Sequence, residues 1–276
     1  MRTRGQAPSA PLASAPGKVL LCGEYAVLAG HPALVAAVNR RAHARVTSGE
    51  TQPSAFLRAA HAEIAAHYGE LSTPARAIAR VTVDTSALRR RGQKLGLGSS
   101  AAATAAAVRA VCPADEPIEL VFSLARRAHA RAQAERGAPG SGADVAAGCF
   151  GGVQRVQTNA GGGLDSVPRP WPGALHLALI WTEVVADTAT MIKNMAAFAR
   201  ERPEAHRHHM DAIAATTQAW EHALLHEPGA ALAAVRDGAA RLAELAEACG
   251  VTLIPPGFSA LAELALEHHG AAKPTG

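Results

Sequence analysis

Residues 93–111, QKLGLGSSAAATAAAVRAV, place two glycines and two serines directly before a run rich in alanine. Glycine allows a tight bend and a close approach by a ligand, alanine is the best helix former, and serine caps helix starts. The stretch therefore predicts a bent loop that leads into a helix N-terminus. The free N–H groups and the dipole at such an end favour an anion, of which phosphate is the commonest.

Two common phosphate loops fit this stretch poorly. The P-loop string Gly-x-x-x-x-Gly-Lys-Ser/Thr is absent from the chain. Gly96-x-Gly98-x-x-Ala101 matches a dinucleotide fingerprint, but it follows the charged segment LRRRGQK instead of a buried apolar strand. A different phosphate loop, in which Ser99 and Ser100 offer hydroxyls to a phosphate or to Mg²⁺, remains. A plain loop–helix junction with a serine cap stays open for this stretch alone.

The composition excludes several classes of function. Hydrophobic residues make up 49% of the 276 residues and charged residues 18%, which is enough for a sizeable core. The net charge of +4 and the aromatic content of 4% argue against nucleic-acid binding. Four scattered cysteines predict neither a metal cage nor disulfides, and they suit a reducing cytoplasm. Because no secretory signal or membrane-spanning stretch is present, we expect a cytoplasmic protein without a membrane partner.

The order of the elements, with strands first and helices later, predicts an α+β chain in two lobes. We expect a disordered tail at 1–13, a first domain at 14–165 and a second at 170–276. Two short strands are expected around Gly23, and a buried strand at 174–182. Helices are expected at 56–68, 117–135, 188–201, 207–225, 229–248 and 258–269. One of these helices carries a buried stripe made of Met210, Ile213, Trp220 and Leu224.

Three stretches, in this order, resemble the motifs of the GHMP kinase superfamily. APGKVLLCGEYAVL (15–28) resembles its first motif, KLGLGSSAA (94–102) its ATP phosphate loop, and GSGADVAAG (140–148) the segment with its catalytic aspartate. The resemblance implies an N-terminal lobe like domain 2 of ribosomal protein S5 and an incomplete, ferredoxin-like C-terminal lobe. KLGLGSS and GSGADVAA are more similar to phosphomevalonate kinases, and Tyr25 stands where mevalonate kinases usually carry histidine.

The resemblance also implies roles for individual residues. Lys18 and Asp144 would be catalytic, the lysine neutralising the transferred phosphoryl group and the aspartate orienting the acceptor and the metal. ATP would be bound by Lys94, Gly96, Leu97, Gly98, Ser99, Ser100 and Ala101. The acceptor would be bound by Lys18, Glu24, Tyr25, Ser141, Gly142 and Thr188. Mg²⁺ would be held by Ser100 and Glu135, with Gln133 as the other candidate for the second position. Helix capping is the alternative for both serines, Asp144 and Thr188.

The expected reaction is transfer of the ATP γ-phosphate to 5-phosphomevalonate, giving 5-diphosphomevalonate and ADP, with Mg²⁺. Mevalonate kinase is the first alternative. A truncated, catalytically inactive nucleotide-binding homologue is the second, because KPTG at 273–276 resembles the start of the third glycine-rich motif of the family and the remaining glycines are absent. The expected partner is a small-molecule substrate, either phosphomevalonate or mevalonate. The sequence leaves open whether the chain forms a homodimer.

Overall fold

The computed structural model describes residues 12–49, 51–137, 140–183 and 188–275. Its main sheet has five antiparallel strands in the order β1-β2-β6-β7, with β3 also paired to β2. A two-stranded hairpin, β4-β5, stands apart from this sheet. The bounds of the strands are β1 Ala13–Cys22, β2 Ala33–Val46, β3 Val81–Asp84, β4 Arg89–Arg90, β5 Gln93–Lys94, β6 Val153–Thr158 and β7 Leu164–Arg169.

Helices make up the rest of the regular structure. The bounds are α1 Ala55–Tyr68, α2 Thr73–Ile78, α3 Ser99–Val111, α4 Ile118–Ala134, α5 Ala143–Phe150, α6 Thr188–Glu201, α7 Pro203–His226, α8 Ala231–Cys249 and α9 Phe258–Glu267. Short 3₁₀ helices add Ala26–Ala29, Ser86–Leu88 and Pro228–Ala230. The expected helices are therefore confirmed, most of them to within a few residues at each end. No helix in the part of the chain that the structure describes is both long and apolar enough to cross a membrane.

The start of the chain differs from the prediction of two short strands around Gly23. One strand, β1, runs to Cys22, and the chain then turns through Gly23, at φ +90°, into the 3₁₀ helix Ala26–Ala29. Glycine is required at the turn because a Cβ on Gly23 would lie 2.6 Å from the Cα of Ala33 at the start of β2. Ala26 and Val27, after the turn, are buried in the 3₁₀ helix instead of pairing as a strand, whereas Leu28 is exposed.

The alternation of side chains along β1 divides the core into layers. Val19 and Leu21 face α7, where they pack in a cluster with Trp220 and Leu224. Leu20, which lies between them, faces the opposite side of the sheet, where the alanine-rich α3 lies with α1, α4 and α5. Because Lys18 directly precedes Val19, its side chain lies on the same side of the sheet as α3.

After β7, the regular structure of the described residues is helical. Met210, Ile213, Trp220 and Leu224 are all buried, as their spacing predicted. The first two pack with α6 and α8, and the last two pack against β1 and β2. Beyond Arg169 the described residues contain helices and no strand, so the strands of a ferredoxin-like lobe are not seen there.

The prediction of a buried strand at 174–182 is wrong. Leu177, Leu179 and Ile180 are exposed by 49%, 45% and 66%, and this stretch carries no strand pairing in the described structure. An apolar run forms a strand only when another strand satisfies its backbone groups, and sequence periodicity does not show whether that partner exists. The proposed domain limits at 165 and 170 stay predictions, although β7 continues the first sheet to Arg169. Of the tail at 1–13, residues 1–11 lie outside the described residues.

Candidate active site

The glycine–serine loop leads directly from the β4-β5 hairpin into α3. Gly96 and Gly98 have φ of +77° and +67°, the left-handed region that glycine tolerates best. Gly98 is the N-cap of α3 and has no side chain that could cap the helix. The first-turn N–H groups of α3 therefore point out of the helix, toward any anion that binds at this end.

Lys18 lies against this helix start. Its backbone N–H donates to the carbonyl oxygen of Leu97 at 2.9 Å, which joins β1 to the loop. Its side chain is buried, and its Nζ lies 3.6 Å from Oδ1 of Asp144. A Cβ on Gly98 would lie 2.9 Å from Cγ of Lys18 and 3.4 Å from Oδ2 of Asp144. The structure thus brings both predicted catalytic residues to the N-terminus of α3.

Asp144 lies in the first turn of α5, one residue inside the helix start. The N-cap of α5 is Gly142, at φ +86°, and the hydroxyl of Ser141 accepts from the N–H of Ala143 at 3.2 Å. Asp144 is therefore not the N-cap, and its carboxylate is left to interact with Lys18. With 32% of its side chain exposed, the carboxylate is within reach of a substrate in solution. The dipole at the start of α5 favours its negative charge.

His129 is a site residue that the sequence reasoning missed. Its Nε2 lies 3.2 Å from Oγ of Ser100, and its ring stacks on Phe56 with centroids 5.0 Å apart. Burial is the main cause that lowers the pKa of His129, with Lys18 adding to it and Asp144 opposing it, so the imidazole is neutral at pH 7. The available signal was a lone histidine on the buried face of α4.

The oxygen donors of the site suit a hard cation such as Mg²⁺. Ser100 offers a hydroxyl, and Oε1 of Gln133, one turn after His129 on α4, is buried without a hydrogen-bond partner in the described structure. No group of three or more His, Cys, Asp or Glu residues that could hold a metal ion occurs in the described residues. Side-chain oxygens of this kind suit Mg²⁺ that is also bound by nucleotide phosphates and water. Glu135 lies exposed at the end of α4, and its role as a ligand stays a prediction.

The other predicted ATP-binding residues, in the loop and on either side of it, differ in their exposure to solvent. Lys94 is exposed in β5, opposite Arg89 in β4. Ser99 opens α3, whereas Ala101 is fully buried in the core. Leu97 packs against the same core. Leu97 and Ala101 thus anchor the loop to the core. Lys94, which is exposed, and Ser99, which is half-buried, are open to a ligand.

Glu24 and Tyr25, predicted to bind the acceptor, lie beyond the end of β1. Glu24 is buried and forms an ion pair with Lys273, a residue that sequence reasoning did not assign to the site. Tyr25 has φ of +60°, and its hydroxyl donates to the sulfur of Met191 at 3.7 Å. Burial, and next the charge of Glu24, raises the pKa of Tyr25 to about 12. Thr188 begins α6, but its side chain lies outside what the structure describes.

Comparison with known proteins shows which family and which proteins this chain is similar to. Residues 55–152, which contain the loop, His129 and Asp144, match the family described as GHMP kinases N terminal domain. A curated relative, phosphomevalonate kinase from Streptomyces sp. (strain CL190), is 27% identical over 331 residues, covering 95% of this chain and 86% of the relative. Because 331 aligned positions exceed the 276 residues of this chain, the relative has internal segments that this chain lacks.

Solved structures of similar fold include the Lin0012 protein from Listeria innocua, at 22% identity and a TM-score of 0.83, with 96% of this chain and 86% of that chain covered. Phosphomevalonate kinase from Streptococcus pneumoniae, in complex with phosphomevalonate and AMPPNP, has 17% identity and a TM-score of 0.74, with 96% and 88% covered. Mevalonate kinase from L. major, in complex with R-mevalonate, has 16% identity and a TM-score of 0.65, with 96% and 83% covered. Residues 55–152 thus match a GHMP kinase N-terminal domain, and the curated relative and the shared fold make the chain similar to GHMP kinases over most of its length, which supports a kinase.

Proposed function

We propose that the chain transfers the γ-phosphoryl group of ATP to 5-phosphomevalonate, giving 5-diphosphomevalonate and ADP. The observation that carries the transfer chemistry is the Lys18–Asp144 pair against the N-terminus of α3. The choice of acceptor is supported by the curated relative, a phosphomevalonate kinase. It is also supported by the similar fold of a phosphomevalonate kinase complexed with phosphomevalonate and AMPPNP.

The donor phosphates would lie along the loop before α3. Gly96 and Gly98 let the backbone approach the phosphates, and the first-turn N–H groups of α3 supply hydrogen-bond donors without a competing side-chain cap. The α3 dipole adds to this attraction. Bound Mg²⁺ would neutralise charge on the phosphate oxygens, with Ser100 and either Glu135 or Gln133 as the side chains proposed to hold it.

Lys18 would act on the phosphoryl group during transfer. Its buried ammonium group lies where the α3 N-terminus and Asp144 converge, so its charge is screened little by water. Negative charge shifts between donor and acceptor oxygens as the phosphoryl group moves, and a fixed cation stabilises that charge. Asp144 lies 3.6 Å from the ammonium group and holds it close to the N-terminus of α3.

Asp144 would orient the acceptor more than it would deprotonate it. A phosphate monoester has its second pKa near 6, so the acceptor phosphate is mostly ionised at neutral pH. An alcohol acceptor such as mevalonate must instead lose its proton to a base, a role that contributes about 10²- to 10⁴-fold in rate. The two acceptors therefore predict different costs for removing the Asp144 carboxylate.

Steady-state ADP release by the purified chain with Mg-ATP tests this function, with phosphomevalonate and mevalonate offered in separate reactions. We expect turnover with phosphomevalonate alone. Lys18→Met should lower kcat by about 10²- to 10³-fold, the cost of removing one fixed electrostatic group. Asp144→Asn should lower kcat by less than Lys18→Met does.

Two alternatives give different results in the same assay. A mevalonate kinase, favoured by the similar fold of the L. major enzyme, would turn over mevalonate and lose most of its activity in Asp144→Asn. An inactive nucleotide-binding homologue would bind AMPPNP and release no ADP with either acceptor. Either result would contradict the proposed reaction.

A further inference from the structure

The β4-β5 hairpin is a strongly basic element that the proposed reaction leaves without a role apart from Lys94. Its four cationic side chains are all exposed: Arg89, Arg90, Arg91 and Lys94. Across residues 85–114 the chain contains no aspartate or glutamate. In the described ranges, no ion pair joins any of these four cations to a carboxylate. The hairpin therefore carries positive charge that no paired carboxylate offsets there.

The fold holds this charge beside the phosphate loop. Leu88, directly before the hairpin, is fully buried, and its carbonyl oxygen accepts from the N–H of Leu95, directly after it, at 3.2 Å. A Cβ on Gly17 of β1 would lie 2.6 Å from Cδ2 of Leu88 and 2.6 Å from the carbonyl oxygen of Leu97. The base of the hairpin and the loop therefore pack against the same residue of β1. Gly96, the first glycine of the loop, follows the hairpin after a single intervening residue.

Neighbouring groups hold the guanidinium groups in place and leave them exposed. Nη1 of Arg89 donates to a carbonyl oxygen of the hairpin turn at 3.0 Å. The guanidinium carbon of Arg90 lies 5.9 Å from the ring centroid of Trp181. Nη1 of Arg40, an exposed residue of β2, donates to the carbonyl oxygen of Ala87 at 3.0 Å and adds a further cation at the base of the hairpin. Since carbonyl oxygens and the indole ring are uncharged, these contacts fix the cations without neutralising them.

We propose that the β4-β5 hairpin guides the nucleotide to its site: its exposed cations attract the triphosphate group toward the adjoining loop and thereby raise the rate at which ATP binds. The inference deepens the proposed function and rests on it, because ATP is the nucleotide of that reaction. It does not depend on which acceptor receives the phosphoryl group.

Exposed charges act mainly on the encounter between a protein and its ligand. Because water and salt screen them, they contribute little to holding a bound ligand. A patch of one sign beside a site nevertheless raises association rates by about 10- to 10³-fold for ligands of the opposite sign. Mg-ATP keeps a net negative charge, so it is such a ligand. Nucleic acid is the other polyanion that a basic hairpin attracts, but an aromatic content of 4% leaves few side chains for stacking on bases.

Stopped-flow fluorescence with the analogue mant-ATP and Mg²⁺ measures the association and dissociation rate constants separately. The test variant carries Arg89→Gln, Arg90→Gln and Arg91→Gln, and it keeps Lys94, which is a predicted ATP-binding residue. We expect its association rate constant to fall about tenfold at about 10 mM salt, where charges act over about 30 Å. At about 1 M salt, where they act over about 3 Å, it should match the parent chain. The dissociation rate constant should change by less than about twofold.

Three further variants separate charge from contacts and from folding. Lysine in place of the same three arginines keeps the charge, removes the guanidinium geometry and should preserve the association rate. Glutamine at three exposed positions of α6, α7 and α8 lowers the net charge of +4 by the same three units and should slow association far less; the positions are Arg200, Arg207 and Arg236. Arg91→Gln alone should show about a third of the triple variant's change in the logarithm of the association rate constant. Thermal unfolding by circular dichroism checks that every variant is folded.

Four results would overturn the proposal. The first is an association rate that the hairpin glutamines leave unchanged, and the second is one that both sets of glutamines lower equally. The third is a lysine variant as slow as the glutamine variant, because the guanidinium contacts would then matter and not the charge. The fourth is a dissociation rate that rises enough to explain the lost affinity, because the hairpin would then hold the bound nucleotide. These results leave the proposed function standing, whereas a parent chain that binds no mant-ATP would overturn both.

Discussion

Replacement of Gly98 by alanine separates two costs that the structure assigns to this position. The first is conformational, because Gly98 has φ of +67°, and the left-handed region costs other residues about 1–2 kcal/mol. The second is steric, because the new Cβ would lie 2.9 Å from Cγ of Lys18. Carbon atoms prefer a separation of about 3.5–4.0 Å, so Lys18 would have to retreat by about 0.6–1.1 Å.

A displacement of about 1 Å in a catalytic group can cost about 10²-fold in rate. Gly98→Ala should therefore lower kcat/KM by about 10²-fold and the free energy of unfolding by at least about 1–2 kcal/mol. Gly92→Ala is the matched control. Gly92 has φ of +81° in the β4-β5 turn, and a Cβ there meets no described atom within 4 Å. It should show the conformational cost alone, a fall in Tm of about 2–8 °C.

Thermal unfolding by circular dichroism and steady-state ADP release, run on the parent chain and on both variants, provide the comparison. We expect Gly92→Ala to lose stability and keep its activity. We expect Gly98→Ala to lose at least as much stability and most of its activity. If the two variants lose equal activity, the close approach of Gly98 to Lys18 has no catalytic meaning and the reasoning is refuted.

Three further variants or measurements test other parts of the site. A Cβ on Gly96 would meet no described atom within 4 Å, so Gly96→Ala should have the same Tm as Gly92→Ala. It should nevertheless bind AMPPNP more weakly in calorimetry, because the methyl group enters the space assigned to phosphate. Unchanged affinity would exclude Gly96 from the site. Lys273→Met leaves the buried Glu24 carboxylate without its ion-pair partner and should lower the free energy of unfolding in urea by about 3–5 kcal/mol, part of which Glu24→Gln in the same chain restores. If Glu24→Gln does not reduce the loss of stability caused by Lys273→Met, the ion pair between Glu24 and Lys273 is contradicted. Burial raises the pKa of Cys149 to about 12, which keeps this thiol protonated at pH 8. A disulfide reagent at pH 8 should therefore label Cys249 before Cys149. Mass spectrometry that finds Cys149 of the native chain labelled before Cys249 would contradict this.

The sequence was sufficient where local chemistry decides the structure. Glycines at 96 and 98 followed by serines and alanines allow little other than a bent loop and a helix start, and the structure has both. Period-2 alternation along β1 sends Lys18 to the side of α3, where it meets Asp144. The loop and the helix start follow from residues near one another in the chain, whereas the meeting of Lys18 with Asp144, which lie in different motifs, was expected only from the resemblance to the family.

The parts that were not predicted depend on distant residues. His129 meets Ser100 across 29 positions, and Lys273 meets Glu24 across 249. No periodicity of one element indicates which side chain of another element will face it. The same limit explains the wrong strand at 174–182, since an apolar run becomes a strand only beside a partner that its own residues do not specify.

In the proposed reaction the accepting oxygen belongs to a phosphate, and ³¹P NMR of the reaction mixture tests this central point most directly. The purified chain is incubated with Mg-ATP and an equimolar mixture of phosphomevalonate and mevalonate, so that the two acceptors compete. We expect the phosphomonoester signal of phosphomevalonate to be replaced by the coupled pair of a new diphosphate as ADP forms. Growth of the phosphomevalonate phosphomonoester signal itself as mevalonate is phosphorylated, with no new diphosphate besides that of ADP, would contradict the proposed reaction.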